Sequence, residues 1–190
     1  MEADTLAAIN DTAVADSTDE ALMQRYVGGD CAAFDVLYTR HRGPLYRYLL
    51  RGCGDRDLAG ELFQDVWTRV IRSRKRYRKK ARFTTWLFTI AHNRLVDHYR
   101  RQRPRGEASV EPPAPPSDQP EIRAGQCEAA QRLHAAIADL PFAQREAILL
   151  KEERGLSLAE IADVTGVGRE TVKSRLRYAL AKLREALPHE

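Results

Sequence analysis

The 190-residue sequence predicts an all-α protein built as two small helical domains joined by a flexible, proline-rich linker. Three observations point there. Within the segments 30–50, 57–72 and 86–101 apolar residues return every three or four positions, the period of one helical face. From Arg103 to Gln126 the pattern breaks at Pro104, Pro112, Pro113, Pro115, Pro116 and Pro120, each of which lacks a backbone donor and disfavours helix in the residue before it. From Ser157 to Leu187 a capping-box signature, two glycines and a long amphipathic segment spell helix, turn, helix. The expected organisation is a disordered acidic tail over 1–18, a first domain over 19–102, a linker over 103–126 and a second domain over 127–187.

Composition narrows the class. The chain is long enough for one or two small cores, and no apolar run approaches the ~20 residues of a membrane span. The N-terminus lacks a basic region followed by an apolar one, so no secretory signal is expected. Cys31, Cys53 and Cys127 are odd in number and widely spaced, which argues against a disulfide framework and points to the cytosol. The net charge of +4 hides an asymmetry: residues 1–24 carry six acids and no Lys or Arg, whereas residues 25–106 carry 20 Lys and Arg against 7 Asp and Glu. A basic middle block with a separate basic helix near the C-terminus suggests two contacts with a polyanion.

In chain order, Asp19 or a neighbour caps a first helix through Tyr26, which ends at Gly28-Gly29. A second, from about Asp30, carries Phe34, Leu37, Tyr38, Leu45, Tyr46, Leu49 and Leu50, interrupted near Gly43-Pro44, and Gly52, Gly54 and Asp55 mark the next turn. A third, from about Asp57 to Arg72, has Leu58, Leu62, Phe63, Val66, Trp67, Val70 and Ile71 sweeping more than half of its circumference. Such a helix is either sandwiched between neighbours or partly exposed to bind another protein. Glu61, Gln64, Asp65 and Thr68 form its polar edge.

RSRKRYRKKAR, residues 72–82, then abuts Tyr77, Phe83, Trp86 and Phe88. Cations interleaved with exposed rings suit a single strand, where charges follow phosphates and each stacked base contributes roughly 1–3 kcal/mol. Thr84 or Thr85 is expected to cap a helix from about Trp86 to Arg101, with a core stripe of Leu87, Phe88, Ala91, Leu95 and Tyr99. Its other face aligns Trp86, Ile90, Asn93 and Asp97, beside Arg94, Arg100 and Arg101, and an Asn and an Asp at that spacing can read base edges. A merely solvated surface helix is the plainer alternative.

After the linker, Leu133, Ile137 and Leu140 form one stripe. Pro141 starts a helix with Ile148, Leu149 and Leu150, and Gly155 ends it. Ser157 and Glu160 then cap a helix to about Thr165, Gly166 and Gly168 make the turn, and a last helix runs from about Arg169 to Leu187. Val172, Leu176, Ala179, Leu180, Leu183 and Leu187 share its inner arc, and Glu170, Lys173, Ser174, Arg177 and Tyr178 lie opposite. Six basic residues between 169 and 184 face one acid, which fits a helix laid in the major groove of duplex DNA better than a solvated hairpin.

This order of parts resembles a bacterial sigma factor of the extracytoplasmic-function (ECF) type over about residues 19–187. Two segments carry the resemblance: FTTWLFTIAHNRLVDHYRR and ADLPFAQREAILLKEERGLSLAEIADVTGVGRETVKSRLRYALAKLRE. It implies a non-catalytic subunit that brings core RNA polymerase to promoters and helps open the DNA, with no cofactor or metal. The first domain would be sigma region two, docking on the clamp coiled coil of the largest polymerase subunit through Leu58, Glu61, Leu62, Gln64, Asp65 and Val66. Arg78, Lys79, Lys80, Phe83, Trp86, His92, Asn93, Asp97, Arg100 and Arg101 would engage the minus-ten element, with a flipped non-template base near Asn93. The second domain would be region four, meeting the polymerase flap and reading the minus-thirty-five element through Arg169, Lys173, Ser174, Arg175, Arg177 and Tyr178. The acidic linker would thread the RNA exit path, and an anti-sigma factor or a Ser/Thr kinase would be a possible regulator.

One departure stands out. The family's acidic DAED-like cluster falls on Leu58-Ala59-Gly60-Glu61, where only the last acid survives. Phosphorylation of Thr68 is one way to restore negative charge to that edge. The alternative reading is a stand-alone helix-turn-helix regulator whose second domain does the binding. An enzyme acting on nucleic acid is disfavoured: the sequence shows no phosphate-cradling glycine loop, no nucleophile–base pairing and no metal-ligand cluster.

Overall fold

A computed structural model describes residues 17–78, 81–102 and 128–187, and every regular element in them is helical. The acidic tail before Ser17, Lys79, Lys80 and the linker expected over 103–126 lie outside the described residues. Among the described residues eight α-helices follow in order: α1 (Asp19–Val27), α2 (Cys31–Cys53), α3 (Arg56–Ser73), α4 (Phe83–Gln102), α5 (Glu128–Ala138), α6 (Phe142–Arg154), α7 (Leu158–Thr165) and α8 (Arg169–Ala186), with a short 3-10 turn over Arg74–Arg76.

Four helix starts are set by short side chains that accept a free backbone amide. Thr18 accepts from the Ala21 amide, Asp30 from Ala33 and Asp55 from Leu58. Ser157 and Glu160 complete the capping box of α7 reciprocally. Gly54, Gly155 and Gly166 close α2, α6 and α7 in the left-handed region, at φ of 72°, 61° and 67°, where a Cβ is penalised.

Three details depart from the sequence expectations. First, α2 runs unbroken through Gly43-Pro44, although Pro44 has no amide to bond back to the preceding turn. Second, Gly52 is not a turn residue but a buried helical one. A Cβ built there would sit 2.6 Å from Leu95 Cδ2, so glycine is what lets α2 and α4 touch. Third, α4 starts at Phe83 rather than after a threonine cap. The Glu20 carboxylate of α1 accepts the Phe83 amide at 2.9 Å, a cap supplied from 63 residues away.

The first helical group closes on Leu22, Leu37, Leu45, Leu49, Val66, Val70, Leu87, Phe88 and Leu95, all fully buried. The wide apolar sweep of α3 is explained largely inside this group. Trp67 stands edge-on to Phe34 and packs against Tyr38, while Phe63 meets Tyr38 and Tyr46 edge-on. In the second group Leu149, Leu150, Ile161, Val172 and Ala179 form the core. Leu180, expected on the inner arc of α8, is 45% exposed.

The two groups also pack on each other. Helix α6 lies against α2, and α7 lies along α4. Tyr99 and Phe142 meet across this boundary with ring centroids 5.4 Å apart. The sequence reading gave the modules only a tether, and the structure adds a direct interface.

Candidate nucleic-acid and polymerase interfaces

The last helix presents the clearest site. α8 is anchored by Val172, Ala179 and Leu183, which fixes the opposite face outward. Arg169, Lys173, Arg177 and Tyr178 are exposed there, and Ser174 and Arg175 are half-buried. The Arg177 guanidinium lies over the Tyr178 ring, 5.0 Å from its centroid, so the two side chains sit together on the exposed face. The outer face of α8 therefore offers forked donors at the spacing of a groove-bound helix.

The stretch around α4 is arranged differently from the expectation. Tyr77 and Phe83, taken from the sequence as part of a stacking surface with the downstream-element residue Trp86, are buried, Phe83 completely. Phe83 is thus a core residue and offers no face to a base. The physical reason is local: Tyr77, Phe83 and Trp86 pack on one another, and the Tyr77 hydroxyl donates to the Ala81 carbonyl at 2.9 Å, folding the basic segment onto the body. Burial, with Glu20 and Asp19 nearby, pushes the Tyr77 phenol up to about 12. Trp86 remains half-buried, while Arg78, Asn93, Arg100 and Arg101 are exposed. Asp97 sits 3.2 Å from Arg94, whose Nε is 3.0 Å from Asp65, so Arg94 is a buried strut between α3 and α4 rather than a free cation.

His92 is not free either. Its Nδ1 meets Glu146 Oε1, which also accepts from the Tyr48 hydroxyl at 2.8 Å. Burial and the adjacent carboxylate push the Tyr48 phenol well above its ordinary range.

Of the six residues assigned to polymerase docking on α3, Leu62 and Val66 are buried. They hold α3 to its own domain and, contrary to the expectation, offer no outward face to a docking partner. Glu61 and Gln64 are exposed, Leu58 and Asp65 half-buried, and Asp65 is tied to Arg69 as well as Arg94. Thr68 is exposed.

Sequence reasoning missed a polar network between the two helical groups. Arg154 Nη2 donates to His41 Nδ1 at 3.0 Å, which fixes the His41 tautomer: its Nε2–H donates to Asp19 at 2.7 Å. Burial alone would raise the Asp19 carboxyl, but bonds from His41 and Arg40 bring it down to about 2. Arg47 and Arg51 of α2 both donate to Glu153 of α6, and Arg82 donates to Glu160 at 3.1 Å. Arg145 is fully buried and donates to the carbonyls of Ala138, Leu140 and Gly52. A legible signal existed: Glu146, Glu153 and Glu160 recur every seven residues, the first beside the apolar run Ala147–Leu150.

Among the described residues, no helix is long and apolar enough to cross a membrane. A helix-turn-helix whose second helix turns a basic face outward, behind a separate helical group with a cationic edge, has the form of a two-domain DNA-binding protein. Comparison with known proteins narrows this. Residues 37–105 match Sigma-70 region 2 and residues 136–185 match Sigma-70 region 4. The ECF sigma factor SigM of Mycobacterium tuberculosis is 32% identical over 90% of this chain and 85% of its own length. The ECF sigma factor RpoE of Cereibacter sphaeroides is 35% identical, covering 90% of this chain and 96% of its own. CarQ of Myxococcus xanthus, an RNA polymerase sigma factor, is 34% identical over 87% and 95% of the two chains. Two solved structures share the fold: CnrH with the cytosolic domain of CnrY (TM-score 0.67, 24% identity, 90% of this chain and 97% of that one), and Bartonella quintana RpoE with the anti-sigma factor NepR (TM-score 0.65, 23% identity, 81% and 96%).

The chain belongs to the ECF RNA polymerase sigma factors. It directs RNA polymerase to specific promoters for transcription initiation, and the stand-alone regulator is not favoured.

Proposed function

We propose a division of labour within that activity. The first domain, 19–102, binds core polymerase and the minus-ten element; the second, 127–187, reads the minus-thirty-five element; and 103–126 threads the RNA exit path between them. The protein works in the cytoplasm and adds no catalysis of its own. The observation that carries this reading is the outward cationic face of α8, where Arg169, Lys173, Arg177 and Tyr178 stand exposed on a helix held by its apolar side. Ser174 and Arg175 flank that face.

On α4 and the segment before it, the downstream contacts are Arg78, Trp86, Asn93, Arg100 and Arg101, together with Lys79 and Lys80, which lie outside the described residues, and with His92 and Asp97 available once their protein partners are displaced. Docking to the clamp rests on Leu58, Glu61, Gln64 and Asp65, an edge poor in free acid because Asp65 already faces two arginines. Phosphorylation of exposed Thr68 adds negative charge to this edge. The similar structures of CnrH and of Bartonella RpoE hold partner proteins, CnrY and NepR, and an anti-sigma factor is a comparable partner here.

Run-off transcription with purified core polymerase tests the whole reading: the wild-type chain is expected to give promoter-specific transcripts that core alone does not. Within it, Arg177→Ala should weaken discrimination of the upstream element by about 1–3 kcal/mol, the range for a forked base contact. An unchanged preference across promoter variants removes Arg177 from the reading set. Thr68→Glu should bind core more tightly than Thr68→Ala, measured by gel-shift or interferometry. Equal affinities would rule the phosphorylation idea out.

A further inference from the structure

Asp65 and Asp97 stand on two different working faces of the first helical group. Asp65 belongs to the edge of α3 proposed for polymerase docking, and Asp97 to the face of α4 proposed for the minus-ten strand. Their side chains are 44% and 41% exposed, so each is open to a partner on its own side. Between them lies Arg94, with a side chain only 8% exposed. Its Nε is 3.0 Å from Asp65 Oδ2 and its Nη2 is 3.2 Å from Asp97 Oδ2, so one buried cation serves two half-exposed carboxylates. The Asp65 contact is at ion-pair distance but off the line of a hydrogen bond, so the guanidinium is shared rather than locked. Asp65 also accepts from Arg69 at 3.4 Å, but that arginine is half in water, where the attraction is screened.

We propose that Arg94 is a positioning residue that couples the two faces: Asp65 and Asp97 compete for its guanidinium, and whatever claims one carboxylate turns Arg94 towards the other. The proposal rests on the reading of α3 as the docking edge and α4 as the DNA face. The exchange costs little, because losing one carboxylate does not leave a buried charge unpaired while the other is already within reach. When a cation of the polymerase takes Asp65, Arg94 passes to Asp97. That carboxylate then meets the phosphates of the strand with its charge balanced, where alone it would repel them. A base that claims Asp97 does so against Arg94. Linkage is reciprocal: docking favours the strand, and the strand favours docking by the same factor.

A substitution on the DNA face should therefore be felt at the docking face. In full-length Asp97→Asn, Arg94 turns to Asp65 and offsets its charge before the polymerase arrives. This chain should bind purified core polymerase about fivefold more weakly by interferometry, the low end of typical couplings because both carboxylates are half in water. Asp65→Asn should itself dock more weakly than wild type. Adding Asp97→Asn to it should change core affinity by less than about twofold, since no carboxylate is left at 65 to offset. Asp35→Asn, the same charge change at an exposed position of α2, should stay within about twofold of wild type. On the free chain the sign is opposite. Asp65→Asn should tighten binding of a labelled mixed-sequence single-stranded oligonucleotide at least about twofold more than Asp35→Asn does, and only while Asp97 is present. A merely structural role for Arg94 predicts no such gain. Circular dichroism melting selects the variants that are folded. Unchanged docking of Asp97→Asn, an equal loss in the Asp65→Asn background or in the Asp35→Asn control, or no gain in strand binding each overturns the coupling. Asp65→Asn docking as tightly as wild type overturns the docking reading, and the coupling with it. A weakened Asp65→Asn beside an unaffected Asp97→Asn overturns the coupling alone.

Discussion

Arg145→Ala is expected to lower the stability of the chain by about 3–5 kcal/mol, among the larger losses a single substitution causes. The guanidinium is fully buried. One nitrogen donates to Ala138 O at 2.7 Å and to Leu140 O at 3.3 Å, and the other to Gly52 O at 3.4 Å. Ala138 is the last residue of α5, so the cation sits where helix carbonyls lack intrahelical partners and the helix dipole is negative. Removing it leaves buried acceptors unpaired at about 1–3 kcal/mol each, in addition to the cavity. Arg145→Met fills the volume but cannot donate, and removes the cost of burying a charge, so its loss should be the smaller of the two. Arg145→Lys keeps the charge but has no planar fork to reach three carbonyls, and should fall between. Urea titration of the three variants checks the order. Losses under about 1 kcal/mol throughout would mean that the carbonyls find water and the arginine is dispensable.

The contrast between Arg145 and the capping residues shows what the sequence holds and what it does not. Ser157 and Glu160 are three positions apart and satisfy each other, so the start of α7 is a local fact readable from four letters. Asp30 and Asp55 are readable for the same reason. The start of α4 is not, because its cap is Glu20, on another helix. Periodicity finds the core of α4 correctly at Leu87, Phe88, Ala91, Leu95 and Tyr99, since burial on one face follows the helical repeat. It cannot say whether the wide stripe of α3 faces a partner or its own domain. That answer depends on Phe34, Tyr38 and Tyr46 of α2 being there to receive Phe63 and Trp67. Leu62 and Val66 were misplaced for that reason. The face of α8 was legible because exposure on a terminal amphipathic helix follows from its own wheel. The glutamate row was visible as a spacing, but its partners are 78 to 106 residues away in sequence or, for His92, 54.

Asn93→Ala is expected to slow promoter opening by about tenfold or more while leaving affinity for core polymerase unchanged. Asn93 is exposed on α4, whereas its neighbours on that face are committed: Ile90 packs on the core, Arg94 is held by Asp65 and Asp97, and His92 by Glu146. It is therefore the uncharged side chain on this face able to offer a donor and an acceptor together, the pairing needed to match a base edge. Extracting a base from the stack costs a few kcal/mol, and a two-point hydrogen bond contributes about 1–3 kcal/mol toward that cost. Losing it should show mainly where the duplex must still be opened. On a template with a pre-formed bubble the defect should shrink, because the unstacking cost has been removed. Permanganate reactivity of unpaired thymines on duplex and bubble templates separates the two cases. Core binding should not change, because the docking edge proposed on α3 does not include Asn93. If the variant opens duplex promoters at the wild-type rate, the captured base is held elsewhere on α4, and Trp86, half-exposed two turns earlier, becomes the residue to test.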